Sequence, residues 1–409
     1  MFDIKLLRAI IFAWYPLSVG SIDYISEISI VASLQQWMLL FIYGIGLFHF
    51  IQKGMVRETP RFFIFYVCLV FFSVLSNFYS FKQIMMLFSL VGGISWAAMI
   101  SRYIRFSDLI ALFAKVSNYT FVFSLIYIGV NYSKSIEYLV DGLTFSSMYE
   151  QKNTYGRFLF LGVFFNVLNY VYSGKGMLNY KLLLIMMCYL SVLFISKSKS
   201  SLFLSIVILT LIPIVSSLQF SLNYRRWMVV GFLSMTIFLT ILVFSVGEVE
   251  NVGSAVDCAR LSQDICIPGT GRFTIWDAIF YDLDLYERYL FGFGYGVYFE
   301  NFATVALTDI GLGGFVPSDP HNGYVDVLVS LGLVGLVFWL TTIIFTMILS
   351  IKCTFEVFVF TFLLLAIYLL SNVTESYFLK TTNIYPLLFC LICFYVRQDL
   401  YNLRRFQRI

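Results

Sequence analysis

The sequence predicts an all-α polytopic membrane protein with about twelve transmembrane helices. Two observations predict it. The first is composition: of 409 residues, 60% are hydrophobic and 12% are charged, with a mean hydropathy of +0.86. An ordinary soluble chain is about half apolar and about a quarter charged, so there is too little polar surface here to cover a water-soluble particle. A soluble enzyme, a nucleic-acid-binding domain and a disordered scaffold are excluded. The second is run length. The apolar stretches are continuous and approach the roughly 20 residues a helix needs to cross the hydrocarbon, whereas barrel strands alternate in short segments.

Taken in order, the apolar segments lie near 8–22, 28–51, 62–78, 83–101, 109–131, 154–172, 181–196, 201–218, 227–247, 326–350, 354–372 and 384–397. The first apolar segment lacks a small-residue cleavage site and opens a multi-span pattern, so no cleaved secretory signal is expected. With the N-terminus cytoplasmic, sixteen Lys and Arg fall on the cytoplasmic side and ten on the other. Positive charge accumulates inside, so both termini are expected there. The net charge of +4 says nothing of acidic partners. The organisation expected is an N-terminal bundle over 1–247, a large exterior loop over 248–325 between the ninth and tenth spans, and C-terminal helices with a short tail over 326–409. The cytoplasmic loops are short and carry no phosphate-binding Gly-Lys motif, which argues against ATP or a nucleotide-sugar as direct substrate. No internal repeat stands out.

Of the seven Cys, Cys68, Cys188, Cys353, Cys390 and Cys393 sit in or beside apolar helices, where packing is the expected role. Cys258 and Cys266 lie in the long exterior loop, spaced for a disulfide if that side is oxidising. With two His and no cluster of ligand spacing, no metal site is expected.

Polar chemistry concentrates on the exterior side. Asp319-Pro320-His321-Asn322-Gly323 stands just before the tenth span, which contains Gly332 and Gly335 three residues apart, a spacing that lets a neighbouring helix approach. His321 has two readings: a general base at ordinary pH, or an interfacial residue at a capped helix start. His49, inside the second span, reads as a packed residue. Gly271-Arg272-Phe273-Thr274-Ile275-Trp276 offers a guanidinium fork suited to phosphate. The run Gly292-Phe293-Gly294-Tyr295-Gly296 either turns backbone N–H groups toward an anion or a sugar, or is a plain turn. Tyr149-Glu150-Gln151-Lys152-Asn153, with Arg157, heads the sixth span, where helix dipole and cations attract an anion. Ser196-Lys197-Ser198-Lys199-Ser200 forms a short exterior turn whose two Lys oppose the positive-inside trend; they bind substrate or simply snorkel. Glu375, after the eleventh span, reads foremost as a solvated acid. Cations and a base at the exterior ends of greasy helices suit a substrate with an anionic head and a lipid tail.

These residues resemble the O-antigen ligase and O-antigen polymerase superfamily. The resemblance rests on His321-Asn322 followed after nine residues by Gly332-Leu333-Val334-Gly335, and on Gly271-Arg272 with Trp276 ahead of that His. Gly292, Gly294 and Gly296 stand between them, Lys152-Asn153 precedes Gly156, and Ser196 to Ser200 resembles the family's Ser-x-Ser-Arg turn with Lys199 in the Arg position. The resemblance implies a GT-C-like, metal-independent glycosyltransferase of the bacterial inner membrane, without cofactor, its site facing the periplasm. The donor implied is an undecaprenyl-diphosphate-linked oligosaccharide. His321 and Arg272 would be catalytic, and Lys199, Lys152, Arg157, Asn322, Trp276 and Lys197 would bind diphosphate or glycan. A polysaccharide polymerase is the first expectation, a ligase acting on lipid A core the second, and a lipid-linked glycan flippase the reading from another class. Expected partners are the lipid-linked glycan, membrane lipid, a chain-length regulator and a flippase, with no nucleic acid.

Overall fold

The structure is a computed structural model. It describes residues 3–19, 29–76, 81–131, 136–139, 142–149, 152–173, 180–217, 222–244, 249–252, 256–262, 265–268, 272–303, 319–380 and 383–406. Each of the twelve apolar segments carries a helix. They are α1 (Ile4–Val19), α2 (Ser29–Gln52), α3 (Arg61–Ser76), α4 (Phe81–Tyr103), α5 (Phe106–Val130), α6 (Lys152–Tyr172), α7 (Tyr180–Ile195), α8 (Lys199–Ser217) and α9 (Leu222–Phe244), and, after the long loop, α12 (Gly323–Ser350), α13 (Phe355–Thr374) and α14 (Ile384–Phe406). The loop itself contains α10 (Arg272–Leu285) and the single turn α11 (Tyr298–Asn301). Among the described residues, α2, α4, α5, α12, α13 and α14 are long and apolar enough to cross a membrane, and α3, α7 and the first part of α8 are shorter apolar helices. This is a polytopic membrane protein.

Its surface fits lipid as solvent. Phe41, Phe194 and Trp227 are about seven-tenths exposed, an arrangement that water would penalise and hydrocarbon does not. At the centre stands α6, buried at every residue from Thr154 to Leu168 and packed against α5, α7 and α8. Several polar side chains inside this core find partners, as a dry interior favours. Asn166 on α6 pairs both ways with Asn118 on α5 at 2.9 Å, and the Tyr189 hydroxyl on α7 donates to the same Asn118. His49 is likewise a packed residue, its Nε2 lying 2.9 Å from the Tyr103 hydroxyl.

Two small antiparallel sheets, unforeseen from the sequence, decorate the helical body. Strands β1 (Ile136–Leu139) and β2 (Gly142–Phe145) form one, and β3 (Val249–Val252), β4 (Val256–Ser262) and β5 (Ile265–Pro268) the other, in that spatial order. Cys258 and Cys266 fall on the adjacent strands β4 and β5, opposite Pro268 and Arg260 respectively; their side chains, and so the disulfide, lie outside the described residues.

The feature that positions the site is a break in α12. Gly332 has φ 68° and ψ −169°, a left-handed backbone open in practice only to glycine. The segment after α10 fills the break. Leu333 and Val334 donate their N–H groups to the carbonyls of Tyr289 and Leu290, at 2.8 and 3.2 Å. In return Phe293 and Gly294 donate to the carbonyls of Val329 and Ser330, at 2.8 and 3.1 Å. A broken helix within a membrane protein leaves backbone groups that must be paired inside the protein, and this segment pairs them. A side chain at Gly332 would overlap the Leu290 carbonyl, so the close approach needs glycine there.

Candidate active site

Of the two readings of the glycine run, the structure fits the turn. The N–H groups of Phe293 and Gly294 are committed to α12 and do not face an anion. The run instead fixes the return path from α10 to the half of α12 that His321 precedes.

Arg272 is the first residue of α10. One turn on, the Trp276 ring is buried and its Nε1 donates a 2.7 Å hydrogen bond to the Pro320 carbonyl. This bond ties the start of α10 to the peptide just before His321. His321 has a left-handed φ of 49°, a conformation worth about 1–3 kcal/mol of strain in a non-glycine residue. Asp319 helps to hold it, with Oδ1 accepting the His321 backbone N–H at 2.9 Å. Asn322 then caps α12: its Oδ1 accepts from the N–H groups of Tyr324 and Val325. Its own Nδ2 donates to the Val373 carbonyl and its backbone N–H to the Ser376 hydroxyl. Asn322 is fully buried, and these bonds make it an anchor between α12 and the end of α13. Gly323 follows because a side chain there would overlap Asn372, whose Oδ1 accepts the N–H groups of Tyr377 and Phe378.

That anchoring delivers Glu375 to the centre. Its Oε1 lies 3.7 Å from an Arg272 terminal nitrogen and accepts from Asn153 Nδ2 at 3.2 Å, while its Oε2 lies 4.0 Å from His321 Nδ1. Three of the separate sequence elements thus meet on one carboxylate. His321 Nδ1 is also 3.4 Å from Asp319 Oδ1, yet it is shut off from solvent and makes no hydrogen bond. The imidazole side chain is still 35% exposed, so the rest of the ring is the accessible part. Asp319 Oδ2 receives Lys380 Nζ at 2.7 Å. Burial opposes ionisation of Asp319, but Lys380 and His321 outweigh it and hold the carboxyl below its usual range.

The remaining expected residues gather at the head of α6. Lys152 is its first residue and half-buried. Arg157 is buried; it donates to the Val19 carbonyl at 2.9 Å and stacks 4.3 Å from the Tyr377 ring, within electrostatic reach of Glu375. Gly156 permits the α7–α8 turn to approach, because a side chain there would overlap Ser198. Lys197, with φ 54°, and Lys199 are exposed on that turn, beside the head of α6. Gln151 and Gly271 lie outside the described residues. Among the described residues, no three His, Cys, Asp or Glu side chains are grouped to hold a metal ion.

Glu375 and Lys380 are the residues that sequence reasoning passed over or undervalued. The available signal was the polar stretch Asn372 to Ser376 interrupting two apolar runs at the end of the bundle where His321 stands.

Residues 182–340 match the O-antigen ligase family model. The recognition of the O-antigen ligase and polymerase superfamily is borne out by that match. The matched stretch includes Lys197, Lys199, Arg272, Trp276, His321, Asn322 and Gly332, whereas Lys152, Arg157 and Glu375 lie beyond its ends. O-antigen ligase family members are glycosyltransferase-like enzymes of ligase or polymerase type, acting on lipid-linked glycans. No curated protein matches the chain.

Proposed function

We propose that the protein is a surface-polysaccharide (O-antigen) polymerase of the bacterial inner membrane, moving a growing glycan from undecaprenyl diphosphate onto the next lipid-linked repeat unit. The observation that carries the reading is the meeting of Arg272 and His321 on Glu375, beside a buried Arg157 and helices with lipid-facing surfaces. The site faces the periplasm and both termini lie in the cytoplasm, as the Lys and Arg distribution supports.

The exposed part of His321 accepts the proton of an acceptor hydroxyl. The hydroxyl oxygen attacks the anomeric carbon, and the bond from that carbon to the diphosphate oxygen breaks with inversion. Arg272 meets the negative charge that develops on the leaving diphosphate, the electrostatic help such a step needs most. Lys152 and Arg157 add positive potential at the head of α6, and Lys197 and Lys199 supply it at the rim. Cationic side chains carry this role, and no metal is required. Trp276 and Asn322 act by positioning the His321 loop.

The ligase reading has one observation of its own, the description of the matched family as O-antigen ligase. Deleting the gene and running lipopolysaccharide on a gel separates the two: single-repeat product identifies a polymerase, and lipid-linked polymer without attached polymer identifies a ligase. A flippase would leave both ladders absent and repeat units stranded in the cytoplasmic leaflet. His321→Ala should abolish polymer while the protein still inserts; wild-type ladders from that variant would remove His321 from the chemistry.

A further inference from the structure

We infer that Glu375 is a built-in stand-in for the donor's diphosphate, holding Arg272 in the empty site and passing to His321 Nδ1 when the diphosphate takes the guanidinium. The inference rests on the diphosphate-transfer reading and assigns a positioning residue to the same site.

The geometry supports an exchange. Glu375 sits between the two groups and is fully bonded to neither: 3.7 Å separates Oε1 from the Arg272 nitrogen and 4.0 Å separates Oε2 from His321 Nδ1. A charge-assisted hydrogen bond forms at about 2.7–2.9 Å, so both contacts stand open by about 1 Å. His321 Nδ1 is buried and without a hydrogen bond, a state that costs free energy until a partner arrives. Asp319 Oδ1 lies nearer, 3.4 Å from Nδ1, yet makes no hydrogen bond to it, and its carboxylate is tied in place by Lys380 Nζ and the His321 backbone N–H. Glu375 is therefore the acid with an oxygen to offer. Its side chain is 16% exposed, and its position is kept by Asn153 on one side and by the Asn322–Ser376 bond at the adjacent residue.

The consequence runs in sequence. With the site empty, the carboxylate occupies the place of an anion and neutralises Arg272. An arriving diphosphate outcompetes it with more charge and more oxygens, and the carboxylate turns to accept the Nδ1 proton of His321. That contact fixes the imidazole tautomer with the other ring nitrogen free as acceptor, so the base is set only when the donor is present. No bond other than hydrogen bonds changes in this exchange.

A purely structural Glu375 and an exchanging one differ in how binding and turnover respond. Removing the charge in Glu375→Gln takes away the diphosphate's competitor and the orienting acid together. Farnesyl diphosphate, titrated calorimetrically into purified protein in lipid nanodiscs, should bind Glu375→Gln about three- to fivefold more tightly than wild type. Turnover on lipid-linked repeat units should fall at least about tenfold. Glu375→Asp, one methylene shorter with the charge kept, should show the same two changes in smaller measure and carries the test if the Gln variant does not fold. Equal or weaker binding in these variants, with wild type binding normally, overturns the exchange. Wild-type protein that binds no farnesyl diphosphate overturns the diphosphate reading itself and this inference with it.

Discussion

The Trp276 indole N–H donates a 2.7 Å hydrogen bond to the carbonyl of Pro320, and this contact ties the start of α10 to the His321 loop. Arg272 lies one turn before Trp276, and His321 is the residue after Pro320. The bond spans 44 residues of sequence and is buried, so its loss leaves a carbonyl without a partner, a penalty of about 1–3 kcal/mol. Trp276→Phe keeps most of the packing against Phe273 and removes the donor. It should insert normally and lower glycan transfer about tenfold, measured by turnover on lipid-linked repeats; wild-type turnover would deny Trp276 its positioning role.

Arg272 separates charge from shape. A lysine in its place keeps the charge and loses the planar fork that grips two oxygens at once. Arg272→Ala should lower transfer by about a hundredfold or more, and Arg272→Lys should recover only part of that. Full recovery by lysine, in the same turnover assay, would contradict bidentate recognition of the diphosphate.

Gly332 tests the broken helix. With φ 68° and the Leu290 carbonyl where a β-carbon would stand, an added methyl meets both strain and overlap. Gly332→Ala should cost at least about 1–3 kcal/mol and lower the thermal midpoint of the detergent-purified protein. Gly335→Ala is the informative contrast: its own close neighbour is the Leu331 side chain, which can shift where a backbone carbonyl cannot. An unchanged midpoint for Gly332→Ala would mean the segment 289–294 does not dock as described.

Gly332 also shows where the sequence is legible and where it is not. The twelve helix-bearing apolar segments could be read because the bilayer imposes a local rule: enough consecutive apolar residues in one stretch. The His321 and Arg272 elements could be read because their chemistry sits in short polar stretches between those runs. Two things could not. Gly332 and Gly335 suggested a helix face open to a neighbouring helix, but the partner is an irregular segment some 40 residues earlier whose backbone completes the ladder. Glu375 suggested a solvated acid because the groups that claim it, Asn153, Arg272 and His321, come from three distant elements. Pairing across such separations is fixed by how helices pack, and no window of sequence contains it. The same holds for Asn322 and Trp276, for which the family resemblance implied substrate contact and whose described hydrogen bonds serve the fold.

The final prediction concerns pH and turns on Lys380. In the wild type, burial pushes the Asp319 carboxyl up, while Lys380 at 2.7 Å and His321 pull it down further, so the folded value lies below the unfolded one. An acid depressed by folding contributes stability that is complete above its ordinary value of about 3.9 and is lost as pH falls through the folded value. Asp319 should therefore add no slope to the thermal midpoint between about pH 5 and 7. Lys380→Met removes the larger of the two opposing groups and should leave burial to dominate, raising the folded value above the unfolded one and reversing the sign. The carboxyl then binds its proton more readily folded than unfolded, and stability declines as pH rises from the unfolded value through the folded one. Midpoints of wild type and Lys380→Met, measured in the same detergent from pH 7 down to pH 5, should diverge most at pH 7 and converge toward pH 5; Lys380→Arg should follow wild type. Asp326 also feels both Lys380 and Asp319, so the same comparison made in an Asp326→Asn background isolates this pair. A constant gap across the range would show that Lys380 acts through packing alone and that the Asp319 charge does not depend on it.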